Sequence, residues 1–126
     1  MLLLAAVSAN ATQAYRIETV AQDLPQPWSL DFLPNGDFII AMRVGELRII
    51  SADGSQQSQI SGVPETLASG QGGFFDVLLD QNFPGNQKLY LSYAAGTKKS
   101  NATAVVSATL GAGILTDVVK IFEVEP

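Results

Sequence analysis

The chain has 126 residues, of which 47% are hydrophobic and 15% are charged, and it contains neither Cys nor His. This composition excludes intrinsic disorder, a disulfide scaffold, a Cys-ligated metal centre, a Ser-His-Asp triad and an H-E-x-x-H zinc helix within the chain. Twelve acidic residues outnumber seven Lys and Arg, for a net charge of −5, so we expect no nucleic-acid partner.

The amino end has the character of a targeting segment. Residues 1–14 carry no charge, and the apolar run from Leu2 to Val7 is followed by small residues, with Ala9-Asn10-Ala11 fitting a signal-peptidase site. The run is far shorter than the ~20 residues that cross a bilayer, so we expect no membrane span. Because no Lys or Arg follows Met1, we interpret 1–14 as a signal-peptide remnant, with a buried helical turn as the alternative. The protein is therefore expected to be exported, to the periplasm or beyond.

Short alternating runs dominate from Tyr15 onward, which predicts strands. Residues 15–20 alternate polar and apolar side chains until Pro25 interrupts the pattern. Four predicted strands joined by Pro- and Gly-containing turns then follow: 28–33, 38–42, 47–50 and 56–60. The first of these places Trp28 on one face with Leu30 and Phe32, which favours core packing of Trp28 over stacking on a planar cofactor.

A second, similar unit follows a Gly-rich stretch. Its predicted strands are 74–79, 89–93, 103–110 and 118–124, with a longer turn over 80–88. The segment 75–79 lies 47 residues after 28–32, and a period of about 40–50 residues with four strands each is typical of β-propeller blades. Because two blades do not close a propeller, we expect an all-β fold that is either a partial propeller or a small β-sandwich.

Three groups of segments carry a family resemblance. The first is P-W-S-L-D-F-L-P-N-G at 27–36 with R-V-G-E-L-R at 43–48; the second is G-Q-G-G-F-F-D-V at 70–77 with the strand at 89–93; the third is 103–106 with 115–122. In this order they resemble the soluble quinoprotein glucose/sorbosone dehydrogenase family, especially its aldose sugar dehydrogenases. The resemblance covers about 15–126.

The resemblance implies a six-bladed propeller of which 15–126 is the truncated amino-terminal part, about two four-stranded antiparallel blades. It implies pyrroloquinoline quinone and calcium as cofactors, oxidation of the C1 hydroxyl of aldose sugars by hydride transfer to the quinone, and an external electron acceptor. Gln71 matches a family Gln close to the quinone and the substrate hydroxyl, and is the candidate cofactor-binding or substrate-orienting residue. The family's catalytic His and calcium ligands would lie beyond Pro126, so no catalytic or metal-binding residue is expected within the chain, which should be inactive alone.

Several residues have a second interpretation. The glycines around Gln71 could serve loop geometry alone. Arg43 could reach an anionic quinone or pair with Asp37 or Glu46. Asp76, within an apolar strand, is expected to be a buried carboxylate that tethers neighbouring blades.

Two further interpretations concern charge and function. The pair Lys98-Lys99 lies between small polar residues, which predicts a solvated loop tip. For the chain as a whole, the alternative function is a non-catalytic propeller or sandwich module that binds a protein or glycan through its loops.

Overall fold

The structure, a computed structural model, describes residues 15–125, so the proposed signal-peptide remnant at 1–14 lies outside the described residues. Two four-stranded antiparallel sheets follow each other along the chain, each with its strands in sequence order. The elements are β1 (Pro27–Phe32), β2 (Phe38–Met42), β3 (Glu46–Ile50), β4 (Gln57–Ile60), β5 (Phe74–Leu79), α1 (Phe83–Asn86), β6 (Lys88–Thr97), β7 (Ser100–Leu110) and β8 (Leu115–Glu123). This confirms the predicted all-β fold of two blade-like sheets. Within 15–125, no helix is long and apolar enough to cross a membrane.

The tight turn between β1 and β2 explains why the boundary between these two strands was predictable, whereas β6, β7 and β8 extend up to four residues beyond their predicted limits of 89–93, 103–110 and 118–124. Between β1 and β2, the amide of Gly36 donates to the carbonyl of Leu33 at 2.8 Å, and the side chain of Asn35 accepts from the amide of Asp37 at 3.1 Å. Gly36 has φ +90, which favours glycine. Local turn chemistry therefore ends one strand and starts the next.

Two segments differ from their predicted conformation. Residues 15–20 form no strand, and Ile17 is 97% exposed. Alternation is not sufficient for a strand, which also needs backbone partners, and no strand of the described chain pairs with this segment. The predicted turn at 80–88 contains the single helical turn α1, which buries Phe83.

The main core lies between the two sheets. It combines buried residues of the first sheet with buried residues of β5 to β8. Members that are no more than 1% exposed include Ile39, Leu47, Ile60, Phe74 and Leu91. The two sheets therefore share one apolar interior, as neighbouring propeller blades do.

The 47-residue repeat is visible in the backbone. The pairing of β1 with β2 shifts register between Pro27 and Ser29, and the pairing of β5 with β6 shifts between Phe74 and Asp76, 47 residues later. A bulge at the same place in the first strand of each sheet bends both sheets alike. This supports their interpretation as two copies of one structural unit.

Polar side chains of β1 connect the first sheet to the second. The amide of Val77 donates to Ser29 Oγ at 3.0 Å, and the amide of Leu79 donates to Asp31 Oδ2 at 2.8 Å. Both donors belong to β5, the edge strand of the second sheet. Ser29 and Asp31 thus satisfy backbone groups that an edge strand would otherwise leave unpaired.

Two predictions about burial were wrong. Trp28 is 54% exposed rather than in the core, since Ser29 and Asp31 face the second sheet and the alternate side chains of β1 face away from it. Asp76 is likewise exposed rather than buried, and it occupies in β5 the position that Ser29 occupies in β1.

Candidate functional site

Gln71 lies in a tight turn just before β5. The amide of Gly72 donates to the carbonyl of Ser69 at 2.9 Å, which closes the turn, and Gly70 has φ +59. Gln71 is exposed at the second central position. The turn therefore exposes the Gln71 side chain to solvent.

The second sheet holds one side of this loop. The amide of Leu67 donates to the carbonyl of Ala94 at 2.8 Å, and Thr66 Oγ1 donates to the same oxygen at 2.9 Å. The amide of Ala94 in turn donates to the carbonyl of Gly73 at 2.9 Å. Ala94 of β6 is thus bonded to the chain both before and after Gln71.

The first sheet holds the other side through Arg43, which follows β2. Arg43 Nη1 donates to the carbonyl oxygens of Gly70 and of Gly72, the latter at 3.3 Å. Arg43 Nε donates to Gln26 Oε1 at 3.1 Å. The guanidinium is therefore bonded to the two residues on either side of Gln71.

Neither carboxylate expected beside Arg43 is its partner. Glu46 forms an ion pair with Arg48 at 2.6 Å, and both Nε and Nη2 of Arg48 donate to its Oε2. Asp37 accepts hydrogen bonds from Asn35 and from the amide of Ala52. The prediction of these pairings was wrong, because Glu46 is paired with Arg48 and Asp37 accepts hydrogen bonds from Asn35 and Ala52.

Gly73 is required by the backbone. Its φ is +146, and a Cβ placed there would overlap the carbonyl oxygen of Arg43. This close approach supports the geometric interpretation of the glycine-rich segment. It leaves the identity of Gln71 unexplained, since no backbone constraint of this kind calls for an amide side chain.

An open cleft of about 400 Å³ lies at the loop, and Gln71, Ala94, Lys98 and Asn101 are among its lining residues. Lys98 lies in the exposed turn between β6 and β7, which confirms the predicted loop tip. Asn101 Nδ2 donates to the carbonyl of Thr97 at 3.1 Å across the same hairpin. The proximity of Lys98 to Gln71 was not predicted, because it depends on how far the β6–β7 hairpin extends.

The cleft offers neutral amides and one ammonium group. An amide side chain both donates and accepts hydrogen bonds without carrying charge, and a Lys ammonium attracts anions. This donor set fits an anionic group that carries hydroxyl or carbonyl oxygens. Over residues 15–125 there is no cluster of three or more His, Cys, Asp or Glu that could hold a metal ion.

Sequence comparison gives family-level matches. Residues 24–126 match the family model described as Glucose / Sorbosone dehydrogenase. An uncharacterised protein of Synechocystis is 35% identical over 94% of this chain. The aldose sugar dehydrogenase YliI of Escherichia coli is 38% identical over 75% of it. The chain spans only 30% and 26% of these two relatives, respectively.

Solved structures show the same similarity in three dimensions. The soluble aldose sugar dehydrogenase of Escherichia coli in its apo-form superposes with a TM-score of 0.78 and 38% identity, over 84% of this chain and 32% of that one. The PQQ-bound form of aldose sugar dehydrogenase from Streptomyces coelicolor gives a TM-score of 0.73 at 23% identity, over 87% of this chain and 34% of that one. The second match speaks for the fold alone.

Proposed function

Since the chain belongs to the glucose/sorbosone dehydrogenase family, we propose that the protein oxidises aldose sugars at the C1 hydroxyl, with pyrroloquinoline quinone as hydride acceptor. The family match and the 38% identity to an aldose sugar dehydrogenase support this activity. The observation that connects this activity with particular residues is the cleft beside Gln71. There, the loop that contains Gln71 is hydrogen-bonded to both sheets. When bound, the quinone would accept the hydride.

In this proposal Gln71 orients the substrate hydroxyl or a quinone oxygen. Its amide can donate a hydrogen bond to one oxygen and accept one from a hydroxyl, and it does not compete for the hydroxyl proton at neutral pH. Lys98, which also lines the cleft, would favour binding of an anionic cofactor. These residues bind and orient; they do not move the proton.

The remaining parts of the reaction require groups from outside these residues. The sequence contains no His, so a general base of the family's kind would come from another part of a longer polypeptide, and in this proposal the calcium ligands lie there as well. An external acceptor would then remove the electrons. We accordingly expect the 126-residue chain alone not to reduce a dye with glucose, even with quinone and calcium added.

We also propose that the protein is exported. The uncharged apolar run and the small residues of 1–14 support this location. Cell fractionation of a tagged protein with and without 1–14 tests it. An equal cytoplasmic distribution of both forms would contradict export.

The substitution Gln71→Ala tests the site in the complete enzyme loaded with quinone and calcium. Loss of a hydrogen bond to a desolvated oxygen costs about 1–3 kcal/mol, so kcat/KM for sugar should fall by about 5- to 150-fold. Gln59→Ala is the matched control, because Gln59 is exposed on the edge strand β4. If both variants behave like the unsubstituted enzyme in sugar oxidation and in quinone titration, Gln71 is not part of the site.

The coding sequence distinguishes this enzyme from a non-catalytic binding module. A His-bearing segment encoded shortly after Pro126 supports the enzyme. A genuine stop codon directly after Pro126 favours the module.

A further inference from the structure

We propose that Arg43 is a positioning residue that sets the orientation of Gln71 by holding the two carbonyl groups on either side of it. The inference rests on the proposed function of Gln71. It concerns a residue that lies outside the lining of the cleft and acts on the site only through the loop.

The base of the Arg43 side chain is itself well anchored. Arg43 directly follows Met42, which is fully buried in β2. Its amide donates to the carbonyl of Gln26 at 2.9 Å. The guanidinium therefore starts from a backbone position that the first sheet determines.

The guanidinium is hydrogen-bonded to the residues immediately before and after Gln71. Its Nη1 donates to the carbonyls of Gly70 and Gly72, and its Nε donates to Gln26 Oε1 at 3.1 Å. Since the guanidinium is planar, the bond to Gln26 sets the plane in which Nη1 meets the loop. A Lys ammonium at the same position has no planar fork and could not reproduce these three bonds together.

The loop needs such an anchor because glycines flank Gln71. Gly70 and Gly72 allow many backbone conformations, and the turn itself contributes one hydrogen bond, from the Gly72 amide to Ser69. The Arg43 main chain also limits the loop, as Gly73 passes too close to its carbonyl oxygen to accommodate a Cβ. Side chain and main chain of Arg43 therefore act on the same short segment.

Hydrogen exchange in the complete protein without quinone tests the anchoring. Arg43→Met keeps most of the apolar stem and removes the donors, and we expect the Gly72 amide to exchange about tenfold faster or more, given two lost charge-assisted bonds. Arg48→Met is the matched control, because the Arg48 side chain bonds to Glu46 and Gln57 instead of to the loop. Unchanged exchange at Gly72 in Arg43→Met would overturn the proposal.

A second variant protects the test against misfolding. Gln26→Leu leaves Arg43 in place and removes the acceptor that orients its guanidinium, at an exposed position. It should raise exchange at Gly72 in the same direction by a smaller factor. An effect spread evenly over β6 instead of the loop would count against positioning.

A double-mutant cycle separates positioning from a direct electrostatic role. If Arg43 acts through Gln71, Arg43→Lys lowers kcat when Gln71 is present and has no further effect in the Gln71→Ala background. An equal loss in both backgrounds, or full activity of Arg43→Lys, refutes positioning. Should Gln71→Ala alone leave activity unchanged, the proposed role of Gln71 fails, while the exchange result still decides whether Arg43 holds the loop.

Discussion

Removal of the Asp31 carboxylate should loosen the contact between the two sheets. Asp31 accepts the amide of Leu79 at 2.8 Å through Oδ2 and the amide of Phe32 at 2.7 Å through Oδ1. The Leu79 bond is partly buried and the Phe32 bond is exposed. In Asp31→Ala, water can replace the acceptor at Phe32 more readily than at Leu79.

The expected loss of stability follows from the difference in burial between the Leu79 and Phe32 hydrogen bonds. A hydrogen bond to a charged group contributes about 1.5–3 kcal/mol, and a neutral one contributes about 0.5–1.5 kcal/mol. Asp31→Ala should therefore lower the free energy of unfolding by about 1.5–3 kcal/mol, chiefly through Leu79. Ser29→Ala, which removes the neutral acceptor of Val77, should cost about 0.5–1.5 kcal/mol.

The assay is urea-induced unfolding followed by circular dichroism, together with hydrogen exchange at the amides of Leu79 and Val77. Glu65→Ala serves as control, because Glu65 is exposed and has no hydrogen bond or ion pair among residues 15–125. Asp31→Ala should speed exchange at Leu79 more than at Val77, and Ser29→Ala should do the reverse. Equal, small effects of Asp31→Ala and Glu65→Ala would show that these side chains do not connect the sheets.

Two further predictions concern turns. Hydrogen bonds from the Ser55 amide and from serine hydroxyls lower the pKa of Asp53 from 3.8 to about 2, so its stabilisation is present above pH 3.8 and is lost as the pH falls towards 2. The melting temperature of Asp53→Ala should therefore depend less on pH in this window, and parallel curves for both proteins would contradict this. Gly73→Ala should destabilise more than Gly113→Ala, because both have positive φ but a Cβ overlaps the Arg43 carbonyl only at Gly73. At Gly113 the strain of positive φ alone is about 1–2 kcal/mol, and equal unfolding midpoints in urea would argue against the overlap.

The sequence was most informative where structure depends on neighbouring residues. The turn at Asn35 and Gly36 was predictable because its Pro, Asn and Gly chemistry is local. The 47-residue spacing was also meaningful, as the matched bulges near Ser29 and Asp76 show. The blade-like sheets could therefore be predicted from the sequence alone.

The sequence was least informative in two cases. One is a strand of which either face could be buried, and the other is a side chain whose partner lies far along the chain. Alternation places Trp28 with Leu30 on one face of β1 but does not say which face meets the second sheet. The partners of Arg43 at Gly70 and Gly72 lie 27 and 29 residues away, beyond the reach of any local pattern. A sequence shows charged side chains but not which backbone carbonyl lies near an Arg, so it favours the nearer carboxylates as partners of Arg43.

The bonds from β5 to Ser29 and Asp31 also bear on the order in which the protein is made. A ribosome delivers the amino-terminal strands first, so the acceptors in β1 exist before the strand edge that they cover. An uncovered edge is a template for pairing with other chains and so for aggregation. During synthesis, the exposed amides of Val77 and Leu79 can therefore find their acceptors in the same molecule as soon as β5 emerges.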